Sequence, residues 1–130
     1  MERVFSGIQP TGALHVGNWL GALRNWIALT ERHECFYSIV DLHALTPSPP
    51  PSAEEMRRRV REVAVTLLAC GLDASRCTLF VQSEVPEHAE LAWVLGCQAA
   101  MGDLQRMTQF KEKSEQAKEI VGLGIFAYPV

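Results

Sequence analysis

His15, Gly17 and Asn18 are the residues best equipped for chemistry, and they follow a loop broken by Gly7, Pro10, Thr11 and Gly12. An imidazole, a carboxamide and a glycine at a helix entrance can hold an anion. The first N–H groups of a helix lack internal partners and carry the positive end of its dipole. Upstream, Met1 to Phe5 have the apolar and β-branched character of a short first strand. Downstream, Leu20, Leu23 and Ile27 make one helical stripe, and Trp19, Ala22 and Trp26 the next. Strand, glycine-bearing loop and helix in that order describe a nucleotide-phosphate site. The same residues also fit an ordinary strand-to-helix turn with His15 solvated at the helix start.

Gly12 and Gly17 have the spacing of the G-x-x-x-x-G-K-[ST] phosphate loop. Asn18 and Trp19, however, replace the Lys that meets the phosphates and the hydroxyl that meets Mg²⁺. The dinucleotide fingerprint G-x-G-x-x-G fails on spacing. His15-Val-Gly-Asn18 instead resembles the His-Ile-Gly-His signature of class I aminoacyl-tRNA synthetases, with Asn18 in place of the last His. The run Ser6 to Arg24 is similar to the opening of bacterial-type tryptophanyl-tRNA synthetases. So are Ile39 to Thr46, Leu79 to Trp93 and Arg106 to Ser114, in the family's order and over essentially all 130 residues.

The resemblance implies an α/β fold: the N-terminal half of a doubly wound parallel, Rossmann-like catalytic domain with inserted connecting helices. Residues 1–130 would be the N-terminal part of that domain, and 46–114 its connecting, dimer-forming segment. The second half of the nucleotide fold and an anticodon-binding domain would lie outside the chain. The resemblance implies ATP, with Mg²⁺ bound through its phosphates, and tryptophan and its tRNA as partners of a cytoplasmic homodimer. Gln9, Pro10, Thr11, Gly17 and Asn18 would hold ATP. His15, Asn18 and Lys111 would act at the phosphates. Phe5, Gly7, Val40, His43 and Tyr128 would border the tryptophan pocket, with Tyr128 near the amino group. The expectation is a tryptophan–tRNA ligase fragment that turns over weakly, if at all, on its own. A nucleotidyltransferase with a similar loop and a non-catalytic module dimerising through 84–101 fit parts of the same pattern.

Bulk properties agree with one ordered domain. The chain has 130 residues, 48% hydrophobic and 21% charged, enough for a single core and unlike a disordered tail. Its net charge of -3 provides no global basic field, so nucleic acid would have to be met by a local patch. Cys35, Cys70, Cys77 and Cys97 form no C-x-x-C pair and sit in apolar runs, the pattern of reduced, buried thiols. No signal-like start or long apolar run is present, which reads as a soluble, cytosolic chain.

The remaining elements follow from periodicity and punctuation. Cys35 to Asp41 reads as a buried parallel strand. Asp41 and His43 then lie beyond its carboxyl end, where α/β folds bind ligands, or serve as a turn residue and a buried imidazole. Thr46 to Ser52 is a proline-stiffened linker. Ser52 and Glu55 read as a capping box for a helix with Met56, Val60, Val63, Ala64, Leu67 and Leu68 on one face, closed by Gly71. Arg57, Arg58, Arg59 and Arg61 form a solvated face or meet an acidic partner. Cys77 to Gln82 is a third strand. Pro86 starts an apolar helix carrying Leu91, Trp93, Val94, Leu95, Cys97, Ala99 and Met101, fit for a core or a subunit interface. A last helix is expected from Glu115 through Ile120, Val121, Leu123 and Phe126.

Overall fold

In the computed structural model, which describes residues 2–47, 49–108 and 122–127, three strands pair in parallel. They are β1 (Arg3–Ile8), β2 (Glu34–Ile39) and β3 (Cys77–Val81), side by side in that order. Parallel neighbours require a crossover, and helices supply both. The first, α1, is continuous but built of three stretches: α-helical Val16–Asn18, π-helical Trp19–Leu23 and α-helical Arg24–Leu29. The second, α2, spans Ala53–Ala69. Beyond β3 lie α3 (Glu87–Gly96), α4 (Met101–Arg106) and α5 (Leu123–Ala127).

The pairing register sorts the strand side chains onto two faces. Val4, Ser6 and Ile8 stand beside Cys35, Tyr37 and Ile39, and these beside Cys77, Leu79 and Val81. Most of this face meets Leu23 and Trp26 of α1 and Val63 and Leu67 of α2 in one core. Tyr37 is its centre. The ring stacks on Trp26 at a centroid distance of 4.3 Å with 2° between planes. Its O–H donates to the Trp26 carbonyl over 2.9 Å. Burial, aided by the neighbouring Cys35 thiol, pushes the phenol pKa upward, so it stays a donor. The opposite face carries Phe5, Gly7, Phe36, Ser38, Thr78 and Phe80.

Several expectations are corrected in detail. β1 does not stop at Phe5: Gly7 and Ile8 pair with Ser38 and Ile39, because ladder pairing outweighs the weak strand preference of glycine. Leu20 is 55% exposed rather than part of a buried stripe. Arg24 N–H bonds the Trp19 carbonyl five residues back, and this wider turn rotates Leu20 outward while Leu23 and Trp26 face the core. Ser52 Oγ accepts the Glu55 N–H at 3.2 Å. The Glu55 carboxylate instead reaches forward to Arg58 and Arg59, at 2.7 Å each, so only half of the expected box forms. Those hydrogen bonds hold the Glu55 carboxyl at about 2, below its ordinary range. Arg58 also pairs with Glu62, so part of the arginine run is bound by its own helix. Leu68 is exposed, leaving Met56, Val63 and Leu67 as the buried ridge. Gly71 does close α2, at a φ of 101° that favours glycine. The apolar helix after Pro86 ends at Gly96, Met101 begins a separate one, and Cys97 is exposed.

Tyr37→Phe isolates the one hydroxyl of the core. The Trp26 carbonyl keeps the Thr30 N–H at 3.2 Å, so it is not orphaned. The expected loss is about 1 kcal/mol in urea unfolding, and unchanged stability would show that the O–H contributes nothing.

Candidate functional site

A cleft of about 590 Å³ opens on the second face of the sheet, at the carboxyl ends of the strands. Phe5 and Gly7 come from β1, Val40, Leu42 and His43 from the turn after β2, and Gln82 from the turn after β3. His88, Ala89, Leu91, Ala92 and Leu95 of α3 wall it, with Ala127 of α5. Rings dominate one side. Phe80 lies 6.4 Å from Phe5 and 5.6 Å from His88, and His88 stacks on Phe5 at 6.4 Å. Such a wall suits a flat, mainly apolar ligand. Gly7 keeps the cleft open at its base: a Cβ there would stand 2.8 Å from Val40 Cγ1.

The opposite end of the cleft is polar. Gln82 is buried, 8% exposed, with Oε1 3.1 Å from His43 Nδ1. Next to this contact, Asp41 Oδ1 accepts the N–H groups of Leu42 at 3.1 Å and Ser83 at 3.0 Å, and Oδ2 accepts the Ser83 O–H at 2.6 Å. Asp41 is therefore a strap between two turns, the first of its two sequence readings. His43 faces the cleft. Gln82, Ser83 and His88 were not singled out in the sequence. The available signal was their place just beyond β3, equivalent to that of Asp41 and His43 beyond β2.

The helix entrance lies apart from the residues that line this cleft, except that Gln9, in the loop leading to it, also lines the cleft. Pro10 is fully buried, so it shapes the loop and offers no surface, whereas Thr11, Gly12 and Ala13 are exposed. His15 and Asn18 cap the helix reciprocally. His15 Nδ1 accepts the Gly17 N–H at 3.1 Å, and Asn18 Oδ1 accepts the His15 N–H at 2.9 Å. Gly17 must stay bare for this: a Cβ would stand 2.8 Å from His15 Cε1. With Nδ1 accepting, a neutral His15 carries its proton on Nε2 and is a donor there. Lys111 and Tyr128 lie outside the described residues.

Residues 1–130 match the family of tRNA synthetases class I (W and Y) from end to end. The chain belongs to that family. It is 55% identical over 130 residues to tryptophan–tRNA ligase 2 of Streptomyces avermitilis, covering 98% of this chain and 38% of that one. Tryptophanyl-tRNA synthetase from Mycoplasma pneumoniae superposes with a TM-score of 0.92 at 34% identity, over 99% of this chain and 38% of that one. The Campylobacter jejuni tryptophanyl-tRNA synthetase, in complex with ADP and tryptophan, does so at 0.90 and 32%, over 98% and 39%. The chain thus spans about two fifths of the length of these relatives. Its three-stranded parallel sheet is consistent with an N-terminal half of the class I, Rossmann-like domain.

Asp41→Ala removes three hydrogen bonds at once and should cost about 2 kcal/mol, as expected for bonds to an ionised carboxylate. Amide exchange should quicken at Leu42 and Ser83 ahead of the β2 core. Unchanged exchange at Ser83 would refute the strap.

Proposed function

We propose that this chain is the N-terminal part of a tryptophan–tRNA ligase, joining tryptophan to its tRNA at the expense of ATP. One observation carries the reading. Phe5, Gly7, Gln9, Val40 and His43, which the family resemblance associates with substrates, converge on a single cleft with an aromatic wall and a polar end. The ADP and tryptophan in the Campylobacter jejuni structure support it.

In this reading the indole lies against Phe5, Phe80 and His88, over the space that Gly7 leaves. The amino-acid backbone lies at the His43 and Gln82 end. ATP lies along the loop to the helix entrance, with Gln9, Thr11, Gly17 and Asn18 beside it and Pro10 holding the loop from within. The tryptophan carboxylate attacks the α-phosphorus of ATP, releasing pyrophosphate and forming the aminoacyl-adenylate. A ribose hydroxyl of the terminal tRNA adenosine then takes the acyl group. The protein forms no covalent bond in the first step. It aligns the carboxylate with the phosphorus and stabilises the charge that develops on the phosphates. Donors at the helix entrance, His15 Nε2 among them, suit that task, and Lys111 would add a point charge. Mg²⁺ would arrive on the ATP phosphates and neutralise part of their charge. Among the described residues no group of three His, Cys, Asp or Glu side chains could cage it.

The same reading makes the outer side of α3 a homodimer surface. Trp93 is 77% exposed, and Val94 and Met101 are exposed nearby. An apolar patch of this kind is suited to a second copy related by two-fold symmetry. Among the described residues no helix is long and apolar enough to cross a membrane, and a cytoplasmic site of action fits protein synthesis.

The decisive test is tryptophan-dependent exchange of pyrophosphate into ATP. The protein to use is a chimera with residues 1–130 in place of the matching segment of the Streptomyces avermitilis relative. Exchange is expected there, its loss in Gly17→Val, and little turnover by the 130-residue chain alone. A folded chimera without exchange would overturn the reading. For the dimer, sedimentation of that chimera should give twice the chain mass, falling to the monomer in Trp93→Glu. A monomeric parent would remove the interface.

A further inference from the structure

We propose that Gln82 is a positioning residue for the amino-acid end of the cleft. It holds His43 with the proton on Nδ1, so that the ring meets the α-ammonium of the substrate as an acceptor at Nε2. This rests on the cleft being the tryptophan site.

Ser38 and Gln82 are the buried polar side chains among the described residues. Burying an amide is unfavourable unless its polar atoms are bonded. Gln82 directs its oxygen to His43 Nδ1 at 3.1 Å. An amide oxygen can only accept, so the ring nitrogen facing it must donate, and a neutral imidazole then keeps its lone pair on Nε2. The distance is fixed from outside the cleft. Ser83, next in the chain to Gln82, is tied by N–H and O–H to Asp41, two residues before His43. The turns after β2 and β3 are thus joined twice, once to hold the backbone and once to orient the ring.

The other imidazoles make the assignment more specific. His88, across the cleft, has Nδ1 3.3 Å from the Val85 carbonyl, again an oxygen that only accepts. Both cleft histidines therefore carry the proton on Nδ1 and offer acceptors at Nε2. His15 at the helix entrance does the reverse, since its Nδ1 accepts the Gly17 N–H. The chain places imidazole acceptors where a cationic ammonium would lie and an imidazole donor where phosphate oxygens would lie. Gln82 does for His43 what main-chain groups do for the other two.

The test has two arms. Long-range ¹H–¹⁵N correlation spectra of the 130-residue chain should show His43 as the Nδ1–H tautomer, and Gln82→Leu should shift it toward Nε2–H. In the chimera, Gln82→Leu should raise KM for tryptophan about tenfold, as for one lost hydrogen bond to a charged group, with KM for ATP unchanged. Tryptamine, which keeps the ammonium, should weaken as a competitor by a similar factor, and indole-3-propionate, which lacks it, should not. Gln82→Glu keeps an acceptor oxygen and should recover both the tautomer and KM at about pH 8, where imidazole is neutral. A wild-type His43 protonated on Nε2 would overturn the proposal. So would a Gln82→Leu variant with unchanged KM, or equal weakening of both competitors. Absence of any tryptophan-dependent exchange in the parent chimera would overturn the tryptophan reading, and the spectra would still decide the tautomer.

Discussion

The contact on which the rest depends is Tyr37 against Trp26. It joins the middle strand to the first crossover helix by a ring stack and by a hydrogen bond into the helix backbone. An aromatic pair contributes about 1 kcal/mol beyond the area it buries, and here the geometry matters more than the energy. A ring held flat on another ring, with its hydroxyl on one carbonyl, allows little sliding or rolling of α1 on the sheet. Everything at the start of α1 is positioned through that contact. The helix entrance at His15 and the strand ends at His43 and Gln82 keep a defined separation because both are referred to β2.

The two faces of the sheet have different tasks. One is filled by α1 and α2 and supplies stability. The other is lined by rings and by a glycine whose lack of a Cβ leaves space beside Val40. On this second face, in register with Gly7 and Phe80, the Ser38 hydroxyl is buried without a hydrogen-bond partner. Such a group costs about 1–3 kcal/mol, a deficit that the packed face must offset. Stability and recognition are thus carried by alternate residues of the same strands, and a one-residue slip in register would exchange them.

The fold was legible in the sequence because short apolar runs at Cys35 and Cys77 alternate with helical stripes, and only a parallel sheet accommodates that order. The helix-start residues were legible because glycine, histidine and asparagine in one turn are chemically unusual. What stayed hidden depended on distance or on phase. Gln82 is a single polar residue after a strand, and its role depends on a partner 39 positions earlier. Ser52 and Glu55 have the spacing of a reciprocal cap, but two arginines compete successfully for the carboxylate. His15 and Asn18 form the reciprocal cap instead, with side chains that are not the usual ones for it. Leu20 was misplaced because stripe counting assumes a constant number of residues per turn.

The π-helical stretch Trp19–Leu23 has a consequence for how this chain tolerates change. An additional residue in one turn offsets the part of the helix before it from the part after it by about 100° around the axis. The cap residues and the buried ridge are therefore on separate angular schedules. Loss of one residue between them would leave Leu23 and Trp26 seated against Tyr37 while swinging His15 and Asn18 about a quarter-turn off their bearing. The two functions of α1, anchoring and presentation, are coupled through a single segment whose length in residues acts as the setting.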